Sequence, residues 1–297
     1  MKFDKIPLTF EQQADLLLSR GLKCEKDILV DVLKKVNYYR LSAYWLDFRN
    51  KDDSFKKGIT LDIIRKRYTF DRQLRLLIID AIERVEIYIR TQLVNILAIR
   101  HGTFSYRKKE TFPNLDSRQF KDFQKKIDIQ VNRSKKYTIF VKHFFEKYDE
   151  NRNDLPVWML AETLTFGTMY TMFRGVSGTI KQEIAESLGI KDKVLNSWLR
   201  AINAIRNTCA HHDRLWNREL GYKILIPNKD KKWHEPVGIP NNKLFAIFTI
   251  LNYSLSFVAP NSNWKKRLLK LFNEYKELDL HMMGFPLGWQ NNLIWKD

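Results

Sequence analysis

Six residues able to act on a phosphodiester fall within 13 positions of the run AIRNTCAHHDRLWNR, which starts at Ala204: Arg206, Asn207, His211, His212, Arg214 and Arg218. An arginine offers phosphate oxygens a planar, permanently charged fork. A histidine changes charge near neutral pH and can therefore take or give a proton. RNA cleavage by the 2′-hydroxyl needs both functions. That hydroxyl loses a proton, the 5′-oxygen gains one, and a cation holds the charge that builds on the phosphoryl oxygens. The scheme requires no metal ion. On a helix, Arg206 and Asn207 are expected one turn before His211, and either His211 or His212 fits as the proton-transfer group. The same set could instead be a hydrogen-bonded structural cluster, because an Arg-x4-His match is common by chance. A metal site of Cys209, His211 and His212 is disfavoured, since no other ligand cluster stands out.

These residues need a helix behind them, and the sequence supplies one from Lys191 to about Asp213, with Val194, Leu195, Trp198, Leu199, Ile202 and Ile205 on its apolar face. A second, longer helix is expected over 60–100, which contains no Gly or Pro. Its apolar stripe is Leu74, Ile78, Ile82, Val85, Ile89, Leu93 and Ile96, and Gly102 is a stop. Its polar face carries Arg72, Arg75, Glu83, Glu86 and Arg90. Glu86 and Arg90 either support the Arg206 cluster or simply pair with each other at four-residue spacing.

Residues 1–59 read as a small helical unit. Thr9 caps its first helix, Gly21 ends it, and a second helix runs from Lys26 to Val36. NYYRLSAYW (37–45) follows, then a polar loop over 49–58. Tyr38, Tyr39, Arg40 and Trp45 could stack bases and hold phosphate, or pack a domain interface. Residues 60–297 form the main helical domain, with 103–154 as a basic helical insertion broken near Arg133–Ser134. Lys121, Lys125, Lys126, Arg133, Lys135, Lys136 and Lys142 there could touch an RNA backbone or form a solvated basic face. NRNDLP (151–156) reads as a loop. An apolar segment at 157–173 contains Gly167, and Thr179 with Gln182 matches a capping box. Residues 221–240 read as a loop with a short hairpin. Helices are expected at 241–258 and 262–278, and the aromatic tail is expected to dock on the body.

Composition agrees with an all-α chain: hydrophobic residues make up 44%, while Gly (11) and Pro (8) are scarce for 297 residues. Lys and Arg number 52 against 34 Asp and Glu, a net charge of +18. Such a field concentrates polyanions, and nucleic acid is the expected partner. Two cysteines, Cys24 and Cys209, are too few for a disulfide framework, and the N-terminus has no apolar signal segment. A cytoplasmic protein with no membrane span is expected. No Gly-rich phosphate loop or paired-cysteine motif points to a cofactor.

Five separated blocks occur in an order that resembles the Abi-like abortive-infection proteins of bacteria, of the AbiD/AbiF type. They are NYYRLSAYW (37–45), YTFDRQLRLLIIDAIERVEIYIRT (68–91), LPVWMLAETLTFG (155–167), RNTCAHHDRLWNR (206–218) and GFPLGW (284–289). The resemblance runs along most of the chain and implies a HEPN-like helical bundle. It further implies a metal-independent ribonuclease acting as a dimer, an RNA-cleaving toxin restrained by a structured non-coding RNA. Arg206 would bind the scissile phosphate, His211 would act as acid or base, Asn207 matches the polar residue after the arginine, and His212 would support the site. A non-catalytic RNA-binding protein is the alternative.

Overall fold

The computed structural model describes residues 6–148 and 153–296, so Asn151 and Arg152 of the expected NRNDLP loop lie outside the described residues. Twelve α-helices and six short 3-10 turns, with no strand, make up the regular structure among the described residues. The axis of the fold is α4 (Leu61–His101), 41 residues and about 60 Å long. The Thr60 hydroxyl accepts from the Ile63 amide at its start, and Gly102 closes it with φ +89°. The expected apolar stripe, Leu74 to Ile96, is buried. Arg75 departs from expectation: it is 5% exposed rather than on the polar face, because a buried carboxylate one turn earlier, Asp71, receives it.

Around α4 pack α7 (Val157–Thr163), α8 (Phe166–Gly175), α9 (Gly178–Glu186), α10 (Asp192–Ala210), α11 (Leu244–Val258) and α12 (Trp264–Glu274). The most buried of these is α11, with almost every side chain from Leu244 to Leu255 withdrawn from solvent. The tail docks as expected. Phe285, Trp289 and Trp295 pack on Phe245 and Phe272, and the Trp295 indole N–H donates to the Thr249 hydroxyl at 2.9 Å.

The N-terminal helices are α1 (Phe10–Ser19), α2 (Lys26–Lys35) and α3 (Tyr38–Ser42). Thr9 and Gln12 form a reciprocal capping box on α1, and Gly21 follows it with φ +93°. Polar ties fasten this unit to α4: the Tyr44 hydroxyl donates to Asp71 at 2.7 Å, and Arg67 pairs with Asp47 at 2.8 Å.

Three local expectations are corrected. In the insertion, α5 (Ser117–Tyr137) runs unbroken through Arg133–Ser134, because Ser134 continues the buried stripe of Phe123, Ile127 and Val131. The break falls at Thr138, extended at φ −115°, before α6 (Ile139–Lys147). Ser177, not Thr179, caps α9, accepting from the Ile180 amide. Residues 221–240 hold a 3-10 turn at Lys231–Trp233 instead of a hairpin, with Trp233 buried against Trp198 and Tyr253. Besides these, the apolar 157–173 segment forms two helices, because Leu164 is extended and the Thr165 hydroxyl caps α8.

Candidate active site

The chemistry-bearing residues sit at the C-terminal end of α10. The helix stops at Ala210, earlier than the sequence pattern suggests. His211 is the C-cap, and its N–H bonds to the Asn207 carbonyl at 3.0 Å. His212 follows with φ +59°. Its N–H bonds to the Cys209 carbonyl at 3.0 Å, and the Asp213 N–H reaches the Thr208 carbonyl at 2.9 Å. This is a Schellman end, in which the left-handed position usually belongs to glycine. A histidine there carries a backbone cost of about 1–2 kcal/mol.

Both imidazoles are exposed, and among the described residues neither is engaged by a hydrogen bond or ion pair. Asn207 is also exposed, one turn before His211. Arg206 is placed differently from the expectation. Five helical residues leave it about 140° around the axis from His211. It is half-buried, within electrostatic reach of Glu86 on α4. Glu86 pairs with Arg90 at 2.5 Å, and Arg90 also donates to the Leu164 carbonyl and approaches Glu162 at 3.8 Å. Burial pushes the Glu86 carboxyl above its ordinary range, while Arg90 and then Arg206 pull it back. Glu86 and Arg90 thus lie beside the motif helix and pair with each other. Among the described residues, no hydrogen bond or ion pair occupies the Arg206 guanidinium.

The loop after α10 is clasped by residues that the sequence pattern does not mark. Asp71 is fully buried. Its carboxylate accepts from Tyr44 O–H (2.7 Å), Arg75 (2.5 Å), the Leu215 amide (3.1 Å) and the Trp216 amide (2.7 Å). Burial pushes the Asp71 carboxyl up, and these four donors oppose it. Arg75 also reaches the Asp213 carbonyl at 3.4 Å. Cys209 lies beneath the same loop, its thiol pushed up to about 12 by burial and by the charge of Asp71.

Arg40 donates to the His212 carbonyl at 2.7 Å, and Arg214 to the Ala43 carbonyl at 2.5 Å. Arg218 in turn bonds the Arg214 carbonyl at 3.2 Å. Arg214 and Arg218 therefore brace the loop with the guanidinium groups that their sequence positions suggest for RNA. Between α3 and this loop lies a cleft of about 430 Å³, lined by Asn37, Tyr39, Arg40, Ala43, Tyr44, His212, Asp213 and Arg214. Of the aromatic block, Tyr38 and Trp45 pack edge to face and Tyr44 is buried, while Tyr39 stands 84% exposed at the cleft. Lys125, Lys126 and Lys136 are exposed on α5 and belong to the insertion rather than to this cleft, and Lys135 lies over the Phe145 ring at 3.7 Å.

The Abi-like protein family model matches residues 31–217, well over half of the chain and all of the cleft just described. The chain belongs to the Abi-like family. By family it is an abortive-infection protein. Neither the curated proteins nor the solved structures gave a match. The matched span of this Abi-like protein includes Arg40 and Asp71, which hold the loop after α10, and Glu86, which lies near Arg206. It leaves out Arg218, α11, α12 and the GFPLGW tail. Among the described residues, no helix is long and apolar enough to cross a membrane.

Proposed function

We propose that this Abi-like protein is a metal-independent endoribonuclease of the HEPN type, in the AbiD/AbiF branch, working in the cytoplasm as an RNA-cleaving toxin in anti-phage defence. The observation that carries the reading is the end of α10. Two histidines without a partner among the described residues stand there, His212 in a strained turn, with a half-buried arginine that is likewise unpaired on the same helix. His211 or His212 takes the proton of the 2′-hydroxyl. That oxygen attacks phosphorus, the bond from phosphorus to the 5′-oxygen breaks as that oxygen receives the proton the histidine has taken up, and a 2′,3′-cyclic phosphate remains. Arg206 holds the phosphoryl charge, with the Glu86 carboxylate within electrostatic reach of it.

Arg206 and His211 face different sides of one helix, which supports a homodimer in which each copy completes the other's site. Ile87 and Trp158, each about half exposed, lie on the α4 and α7 surfaces that carry Arg90 and its partner Glu162, and they suit such an interface. The charge of +18 fits an RNA substrate and also a structured non-coding RNA that holds the toxin off.

The test is RNA cleavage in EDTA by protein stripped of nucleic acid, wild type beside His211→Ala and His212→Ala. Cyclic-phosphate ends that disappear in one histidine variant support the reading and name the proton-transfer residue. No cleavage by a folded wild type, with a discrete RNA recovered from the preparation, favours a binding protein without catalysis.

A further inference from the structure

A second basic cluster lies further back along α10, away from the motif. Arg200 is exposed on α10 and its guanidinium stacks on the Tyr222 ring at 4.2 Å. Arg174, exposed at the end of α8, lies 6.0 Å from the centre of the Tyr170 ring. The Tyr170 hydroxyl in turn reaches Asn196 on α10 at 3.4 Å. Among the described residues, no carboxylate pairs with Arg174 or Arg200, although most arginines of this chain have found an acidic or carbonyl partner. Both tyrosines are half-buried, and burial raises their hydroxyls, Tyr222 to about 12, while the nearby arginines pull them back. Two exposed arginines, each at a tyrosine ring and, among the described residues, without a carboxylate partner, therefore share one patch, and both act on the Tyr170 hydroxyl.

Helix geometry connects this patch to the motif. Seven residues separate Arg200 from Asn207 and eleven separate it from His211, each within about 20° of whole turns. Arg200, Asn207 and His211 thus form one exposed stripe, about 16 Å long from Arg200 to His211. Ala204, small and exposed, lies between them on that stripe and leaves the path open. An arginine already stacked on a ring loses little freedom when it grips a phosphate, and its fork matches two phosphate oxygens.

We propose that Arg174 and Arg200, seated on Tyr170 and Tyr222, form a phosphodiester subsite that holds the RNA strand along α10, about 16 Å from His211. The proposal rests on the ribonuclease reading and extends it to where the strand lies.

The test uses the full chain carrying His211→Ala, so that binding is read without cleavage, and a short fluorescent single-stranded RNA titrated by anisotropy over a salt series. Adding Arg174→Gln and Arg200→Gln keeps polar side chains at these positions and removes two charges. The expected result is a loss of affinity of about tenfold or more at low salt, with the salt slope flattened by about 1.4, or 0.7 for each phosphate contact. Lys51→Ala with Lys57→Ala removes the same net charge from an exposed loop and is expected to leave the slope nearly unchanged. In the cleaving protein, the two glutamine substitutions should raise KM and leave kcat close to wild type.

If the parent binds RNA and the Arg174/Arg200 variant binds with the same affinity and slope, the subsite is wrong while the ribonuclease reading stands. The subsite is equally wrong if the Lys51/Lys57 control weakens binding as much. If the parent binds no RNA, the reading fails and the subsite falls with it. Should the glutamine variant melt early, Arg174→Lys with Arg200→Lys keeps charge and fold but loses the bidentate fork, and an affinity equal to the parent's would again refute the subsite.

Discussion

Asp71→Asn tests whether the buried clasp holds the loop that follows α10. Asparagine keeps the shape, and its carbonyl can still accept from the Leu215 and Trp216 amides. Its NH₂, however, would face the Arg75 guanidinium, donor against donor, while the Tyr44 hydroxyl could turn to accept from it. Arg75 is 5% exposed, so its charge would be buried without a counter-ion. Breaking such a pair from one side costs about 3–5 kcal/mol. At about 2.1 cal/mol/K per residue, a chain of 297 residues has an unfolding entropy of about 0.6 kcal/mol/K. The melting temperature should therefore fall by roughly 5–8 °C. Hydrogen exchange at Leu215 and Trp216 should quicken more than exchange in α11. Arg75→Met added to Asp71→Asn removes the orphaned charge, so the double variant should be more stable than the sum of the singles predicts. A loss below about 1 kcal/mol, or strict additivity of the two substitutions, would refute the idea that Asp71 and Arg75 act as one unit.

Three further outcomes follow. His212→Gly relieves the φ of +59°, so urea unfolding should find the variant unchanged or up to about 1 kcal/mol more stable, after the extra chain entropy of glycine is counted; a clear loss of stability would contradict the Schellman geometry. For Cys209, a folded value of about 12 stands above the unfolded one near 8.5, so the stability from keeping this thiol protonated is full below about pH 8.5 and is lost as pH climbs toward 12. At pH 8 a thiol reagent should consequently label half-buried Cys24 first and reach Cys209 only on unfolding. Gly175→Ala would set a Cβ 2.9 Å from both Leu115 and Phe112, so it should cost about 1–3 kcal/mol in the same unfolding assay and loosen the insertion on α8.

Much of the scaffold is legible in the sequence because its signals are local. Thr60 and Gly102 bracket α4, and the three- and four-residue steps of Leu74 to Ile96 mark its buried face. The residue types in the motif are equally plain. The positions that organise the site are not, because their partners are distant in the chain. Asp71 sits between Phe70 and Arg72 in a helix, where an acidic residue reads as a solvent face. What buries it is Tyr44, 27 residues before, and the amides of Leu215 and Trp216, some 144 residues later. Arg75 reads as outward-facing for the same reason. Arg214 and Arg218 look like free cations because the carbonyls that engage them, those of Ala43 and Arg214, carry no side-chain signature.

The end of α10 shows why such a site resists local rules. A Gly after the last apolar residue marks a helix stop, and none stands after Ala210, so the helix reads on toward Asp213. The chain turns there nonetheless, with His212 in the glycine position. A turn that served only as a connector would be more stable with glycine. Here the strain is offset by interactions drawn from both ends of the matched family span: Arg40 on the His212 carbonyl, Arg75 on the Asp213 carbonyl, and Asp71 on the amides of Leu215 and Trp216. A strained residue persists only where its surroundings over-determine it, and these contacts do so for His212. The N-terminal unit is accordingly part of the site, because Arg40, Ala43 and Tyr44 form one wall of the cleft whose other wall is His212 to Arg214.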